Sequence, residues 1–219
     1  MDWTQSIDNY CERTDPSFWS EPLNATSNLA FFVAAVLVFR AARTAPGKMS
    51  WQADIFGALI LLVGVGSFLF HTFAKVWAGF LDVLFILAFI YVFFAYFLAR
   101  VAALRWPGIA LGLAGYWLGS KVLTAQFPPG SFNGSYDYLP PLAALFGLAA
   151  FAYWKKHPGL RRLALAAVVF AVSLALRTVD QAACEAWPWG THFVWHCLNA
   201  AVLYLTTTAL LDVTTRTAN

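Results

Sequence analysis

Thr191-His192-Phe193-Val194-Trp195-His196 sets two histidines at i and i+4, so a helix through this stretch carries both imidazoles on one face. The run that follows, Cys197 to Leu211, is apolar and long enough to complete a membrane span. Two imidazoles in lipid need partners, because an unsatisfied polar group there costs several kcal/mol. A divalent metal ion meets that need at this spacing. Backbone carbonyls and hydroxyls of other helices are the alternative.

Composition supports the membrane setting. Of 219 residues, 60% are hydrophobic and 11% charged, against roughly 25% charged in a soluble domain. The mean hydropathy is +0.64. The net charge of +3 lies in loops between apolar runs and gives no reason to expect a nucleic-acid partner. No basic n-region of a cleavable signal opens the chain; its first 21 residues are acidic and polar instead. Ten tryptophans suit the interfacial belts of a bilayer.

Seven apolar runs follow, at about 22–43, 52–73, 77–101, 106–125, 138–154, 160–180 and 190–212. Each is close to the ~20 residues that cross a bilayer as a helix. The sequence therefore predicts an all-α seven-transmembrane-helix bundle. Its organisation is an acidic extracytoplasmic segment at 1–21, a bundle domain at 22–213 and a short cytoplasmic tail at 214–219. Arg40, Arg43 and Lys48 follow the first run, Arg100 and Arg105 the third, and Lys155, Lys156, Arg161 and Arg162 the fifth. Arg216 joins them on the same side. By the positive-inside rule these loops are cytoplasmic and the N-terminus is outside.

That orientation brings four distant residues to one depth. His71 ends the second run, Asp82 lies near the start of the third, and His192 and His196 open the seventh, all toward the outer face. None of the four entered the orientation argument. Three histidines with one open position form a common hydrolytic zinc site, in which zinc lowers the pKa of water to ~7 and polarises a carbonyl. Ser67 lies one turn before His71 on the same helical face. It is either a packing serine bonded to its own helix or a donor to a bound substrate oxygen. Asp82 is costly in lipid; it has three candidate roles, binding metal, orienting a histidine or moving protons.

Other polar residues have structural readings. Arg177 and Asp180 are i,i+3 and suit an ion pair. His157, in a basic loop, is expected to be solvated. Cys11 and Cys184 both fall on the outer, oxidising side and are candidates for a disulfide, whereas Cys197 is expected to be a free core thiol. The acidic N-terminal segment is either a calcium site, since calcium takes carboxylate and carbonyl oxygens, or a solvated tail.

Several blocks together resemble the alkaline ceramidase family, part of a wider group of seven-helix membrane hydrolases that includes the adiponectin and progestin receptors. They are Tyr10-Cys11-Glu12, Glu21-Pro22-Leu23-Asn24-Ala25-Thr26-Ser27-Asn28, Gly66-Ser67-Phe68-Leu69-Phe70-His71 with Asp82 beyond it, Val179-Asp180 with Cys184, and His192-Phe193-Val194-Trp195-His196. They recur in order across nearly the whole chain. The resemblance implies zinc held by His71, His192 and His196, with Asp82 beside the metal's water and Ser67 stabilising the oxyanion. It implies a Cys11–Cys184 disulfide, and calcium held at Asn9, Tyr10, Glu12, Thr14 and Glu21. Tyr10 stands where the family has tryptophan, Thr14 where it has asparagine, and the stretch to Glu21 is shorter.

The resulting expectation is a multi-pass zinc-dependent amidase that hydrolyses ceramide or a related N-acyl lipid near the extracytoplasmic face. The rival is a seven-helix lipid receptor or sensor with structural zinc. A transporter would need a polar path across the membrane, and the inner halves offer little beyond Asp54. The orientation has a direct check. A fluorescent-protein fusion at the C-terminus should report the cytoplasmic side and an alkaline-phosphatase fusion there should be inactive; an active phosphatase would invert the topology.

Overall fold

The computed structural model describes residues 2–44 and 50–211; Lys48, Arg216 and the 214–219 tail lie outside the described residues. Regular structure among them is helical. A short helix α1 (Pro22–Ser27) leads into α2 (Leu29–Thr44), and six further α-helices follow. They are α3 (Ser50–Phe73), α4 (Val76–Arg100), α5 (Trp106–Thr124), α6 (Leu139–Trp154), α7 (Leu160–Ala183) and α8 (His192–Leu211). The expected runs and these helices agree to within a few residues. Pro22, Pro107 and Pro140 sit in the first turns of α1, α5 and α6, where the missing N–H is not needed.

Five helices, Pro22–Arg43, Trp51–Phe73, Val76–Arg100, Leu160–Ala183 and His192–Leu210, are long and apolar enough to span a membrane. They mark a multi-pass membrane protein. The most apolar, α4, has a mean hydropathy of 2.5, yet only 17% of its hydrophobic window is buried inside the protein. Apolar residues such as Val83, Leu84 and Leu87 instead cover its outer surface, as lipid contact requires. α5 carries Lys121 and contributes no buried residue; α6 is short at 16 residues.

Sequential neighbours pack side by side, and α8 closes the ring against α7 and α2 while also touching α3. A long apolar core runs between them, from Phe31 and Val63 at one end to Leu163 and Leu210 at the other. One crossing positions the chemistry. A Cβ on Gly66 would lie 2.7 Å from the Phe85 ring and 3.2 Å from the Cα of Asp82. Glycine thus lets α3 and α4 touch, and this sets Ser67 beside Asp82.

The N-terminal segment is built into the bundle, which excludes the solvated tail. Its backbone pairs with the α3–α4 turn: Ile7 N donates to Ala74 O (2.8 Å), and Val76 N to Gln5 O (3.1 Å). Arg13 is buried and donates from Nε to Glu21 Oε1 (2.5 Å) and from Nη2 to the His71 carbonyl (2.9 Å). Glu12 accepts from Leu23 N (2.6 Å) and Asn24 N (2.8 Å), capping α1 from a distance. A disulfide joins Cys11 to Cys184 across 173 positions of sequence. Such a bridge typically contributes ~2–4 kcal/mol, and it ties this segment to the end of α7.

Candidate metal centre

The histidine face of α8 depends on how that helix begins. Gly190 has φ +63°, and a Cβ there would lie 2.3 Å from Asp180 Oδ1 and 2.8 Å from Cys11 Cβ. Only glycine fits. The room it leaves lets Asp180 Oδ1 accept from Thr191 N (2.7 Å) and His192 N (3.0 Å), while Oδ2 accepts from Cys11 N (3.1 Å). Asp180 is fully buried. It therefore caps α8, which overturns the expected ion pair with Arg177. Arg177 turns the other way, donating to Asn133 O (2.7 Å) and Ser135 Oγ (2.9 Å) and lying over the Tyr138 ring. A helix start offers two unpaired N–H groups that a carboxylate satisfies at closer range than a guanidinium reaching for a loop.

His71, His192 and His196 converge as buried side chains, each offering a ligand atom within 4.8 Å of the others. His71 Nδ1 lies 2.6 Å from Glu21 Oε2. A carboxylate accepts there, so Nδ1 carries a proton and Nε2 is the nitrogen free to offer a lone pair to a metal; Nε2 is buried with no hydrogen-bond partner. His196 Nδ1 lies 2.7 Å from Ser27 Oγ, and the Ser27 hydroxyl donates to Asn24 O (3.0 Å). The serine proton is thus committed, Nδ1 of His196 donates, and its Nε2 is left as a lone pair. His192 stacks under Tyr10 with ring centroids 3.7 Å apart, and its Nδ1 is buried without a partner.

These residues fit a metal. Orphaned imidazole nitrogens in a buried cluster are expensive unless a cation takes their lone pairs. Outward N–H groups on a carboxylate and a hydroxyl are what orient metal-binding histidines and raise their basicity. Three neutral nitrogens suit zinc. Burial works against the Glu21 carboxylate, but hydrogen bonds from His71 and Asn24 and the Arg13 charge outweigh it, and its pKa is lowered. Burial pushes the Tyr10 phenol up, so the ring over His192 stays neutral.

Ser67 is buried, with Oγ 3.3 Å from His196 Nε2, not turned back on its own helix. Asp82 is half-buried, and its Oδ1 is enclosed without a hydrogen-bond partner. Asp82 stands outside the three-histidine group, so among the described residues no fourth His, Cys, Asp or Glu joins it. All but His71 line one cavity together with Tyr10, Phe89, Phe93 and Leu203. The cavity follows α8 from His192 to Thr206, roughly 21 Å at 1.5 Å per residue. Below the histidines its walls are mostly apolar.

The other sequence-derived positions are spread around the cluster. The Asn9 carbonyl accepts from Gln181 Nε2 (2.8 Å), and Thr14 N donates to Ser20 Oγ (3.0 Å). His157 is not solvated: it is half-buried and its Nδ1 accepts from Gly159 N (3.0 Å). Cys197 is free and exposed on the bundle surface, not a core thiol. Sequence reasoning missed Arg13, Ser27 and Asp180 as supports of the site. The polar cluster Asn24 to Asn28 at the start of an apolar run was the available signal for Ser27.

No model of a known protein family matches the chain, and no curated protein matches its sequence. The geometry alone makes a prediction. Glu21→Gln keeps the shape but removes the charge behind His71, so metal affinity should fall ~10–100-fold, as for other outer partners of metal-bound histidines. His71→Ala should abolish stoichiometric binding. Chelator competition on purified protein checks both; unchanged affinity in Glu21→Gln would remove Glu21 from the site.

Proposed function

We propose that the protein is a zinc-dependent amidase that hydrolyses ceramide or a related N-acyl lipid to a free fatty acid and an amine. One observation carries this reading: the three-histidine cluster opens onto a long apolar cavity beside Ser67 and Asp82. The resemblance to alkaline ceramidases points the same way. A polar centre at the head of an acyl-sized tunnel suits a substrate whose scissile amide joins a polar end to a hydrocarbon chain.

His71 Nε2 and His196 Nε2, with a ring nitrogen of His192, would hold the ion. When bound, zinc supplies Lewis acidity and a water of lowered pKa. The chain's own groups do the rest. The tunnel holds the acyl chain and excludes bulk water, fixing the amide at the cluster. Ser67 Oγ donates to the carbonyl oxygen as it gains charge, the kind of stabilisation that is often the largest catalytic contribution. Asp82 accepts a proton from the attacking water and delivers it to the amide nitrogen. The carbon–oxygen bond forms, the carbon–nitrogen bond breaks, and the amine leaves toward the outer rim.

Calcium belongs to the same reading, at Asn9, Tyr10, Glu12, Thr14 and Glu21. The Glu12 and Glu21 carboxylates already accept hydrogen bonds, so they would reach calcium through their remaining lone pairs. The rival lipid sensor with structural zinc is favoured by a closed shell of four protein ligands; a three-histidine set favours the enzyme.

Asp82→Asn should keep near one zinc per chain and lose ~10²-fold or more in turnover. Ser67→Ala should likewise keep zinc and lose ~10²–10³-fold. Fatty-acid release from a fluorescent ceramide in detergent, with zinc counted on the same samples, measures both. Wild-type rates in both variants would refute the assigned roles, and a wild type inert toward every N-acyl lipid would put the sensor ahead.

A further inference from the structure

Asn199 lies one turn below His196 on the cavity-facing side of α8, about 4.5 Å deeper at 1.5 Å per residue. Its surroundings fix which way the amide points. Nδ2 donates to the Trp195 carbonyl (2.9 Å) and to Ser173 Oγ (3.1 Å). A carbonyl only accepts, so the nitrogen must be on that side. The fully buried Ser173 hydroxyl donates to the same carbonyl (3.3 Å), which leaves its oxygen to accept from Asn199. Both amide hydrogens are therefore committed. Among the described residues no donor is bonded to Oδ1, the one acceptor left on a side chain that lines the cavity.

An amide on a cavity wall that also carries Phe89, Phe93, Leu203 and Val202 is a costly choice where leucine would pack. If Asn199 served only to tie α8 to α7 through Ser173, Oδ1 would have no role. We infer that Asn199 Oδ1 accepts a hydrogen bond from a hydroxyl on the second or third carbon of the acyl chain. The favoured ligand is then a 2- or 3-hydroxy fatty acyl group. The carbonyl carbon would sit at the histidines and the hydroxyl one helical turn below. The inference rests on the amidase reading for its substrate but not for its binding site.

Two measurements separate the two ideas. The first is binding of dodecanoic, 2-hydroxydodecanoic and 3-hydroxydodecanoic acid to the purified wild type in detergent, by displacement of a fluorescent fatty acid. One hydroxy acid should bind about tenfold tighter than dodecanoic acid, the worth of one net hydrogen bond. In Asn199→Leu that ratio should fall to about one. Equal affinity for the three acids in the wild type, no binding of any, or a preference that survives in Asn199→Leu would overturn the inference. The wild-type comparison decides even where the variant folds poorly. The second measurement is hydrolysis of sphingosine amides of the same three acids. The same selectivity in kcat/KM supports substrate recognition. Hydroxyl-selective binding with no hydrolysis of any amide sinks the amidase and leaves the hydroxyl site standing. Brisk hydrolysis with no selectivity in either measurement does the reverse.

Discussion

Three imidazoles buried at one depth in an apolar bundle impose a strict hydrogen-bond account on everything around them. Each ring has two nitrogens, and in a medium without water each nitrogen needs a partner. Glu21 takes one from His71 and Ser27 takes one from His196. The inward nitrogens are left facing each other within 4.8 Å, an arrangement that a shared cation stabilises. The N-terminal segment supplies Glu21 and braces the helix that carries Ser27. Arg13 bonds Glu21 and the His71 carbonyl at once, Glu12 caps the helix that carries Asn24 and Ser27, and the disulfide holds the segment down.

The same logic places α8. Its first turn must enter the site at a fixed height, because His192 and His196 share one face. Asp180 sets that height by capping Thr191 and His192, and Gly190 makes the approach possible. Tyr10 then covers His192 from above. Below the cluster the demand for partners ends, and the cavity walls turn to phenylalanine, leucine and valine. A polar head over an apolar shaft is the shape of an acyl lipid. Asn199 is a polar residue on that wall, one turn below His196.

The helical spans were legible because a membrane leaves little freedom: some twenty apolar residues bounded by charge have one solution. The histidine cluster was legible because successive spans alternate in direction, which brings the end of the second run and the start of the seventh to the same side. The partners of the histidines were not. Glu21 and Ser27 lie 50 and 169 positions from the rings they orient, and sequence spacing carries no information over such distances. Arg177 and Asp180 were misread for a related reason. An i,i+3 pair of opposite charge suits a local ion pair, but a helix start and a folded-over loop competed for each side chain and won. The acidic segment gave opposite signals, since composition suggests a solvated tail and only its long-range bonds to α1, α3 and α7 order it.

A metal ion held by His71, His192 and His196 with one position open has a distinct spectroscopic signature. X-ray absorption at the zinc edge on the purified protein tests for it most directly. The account predicts about one zinc per chain with three imidazole nitrogens at ~2.0–2.1 Å and one oxygen at a similar distance. Absence of zinc after metal reconstitution, or a shell closed by four protein nitrogen or sulfur ligands, would contradict it.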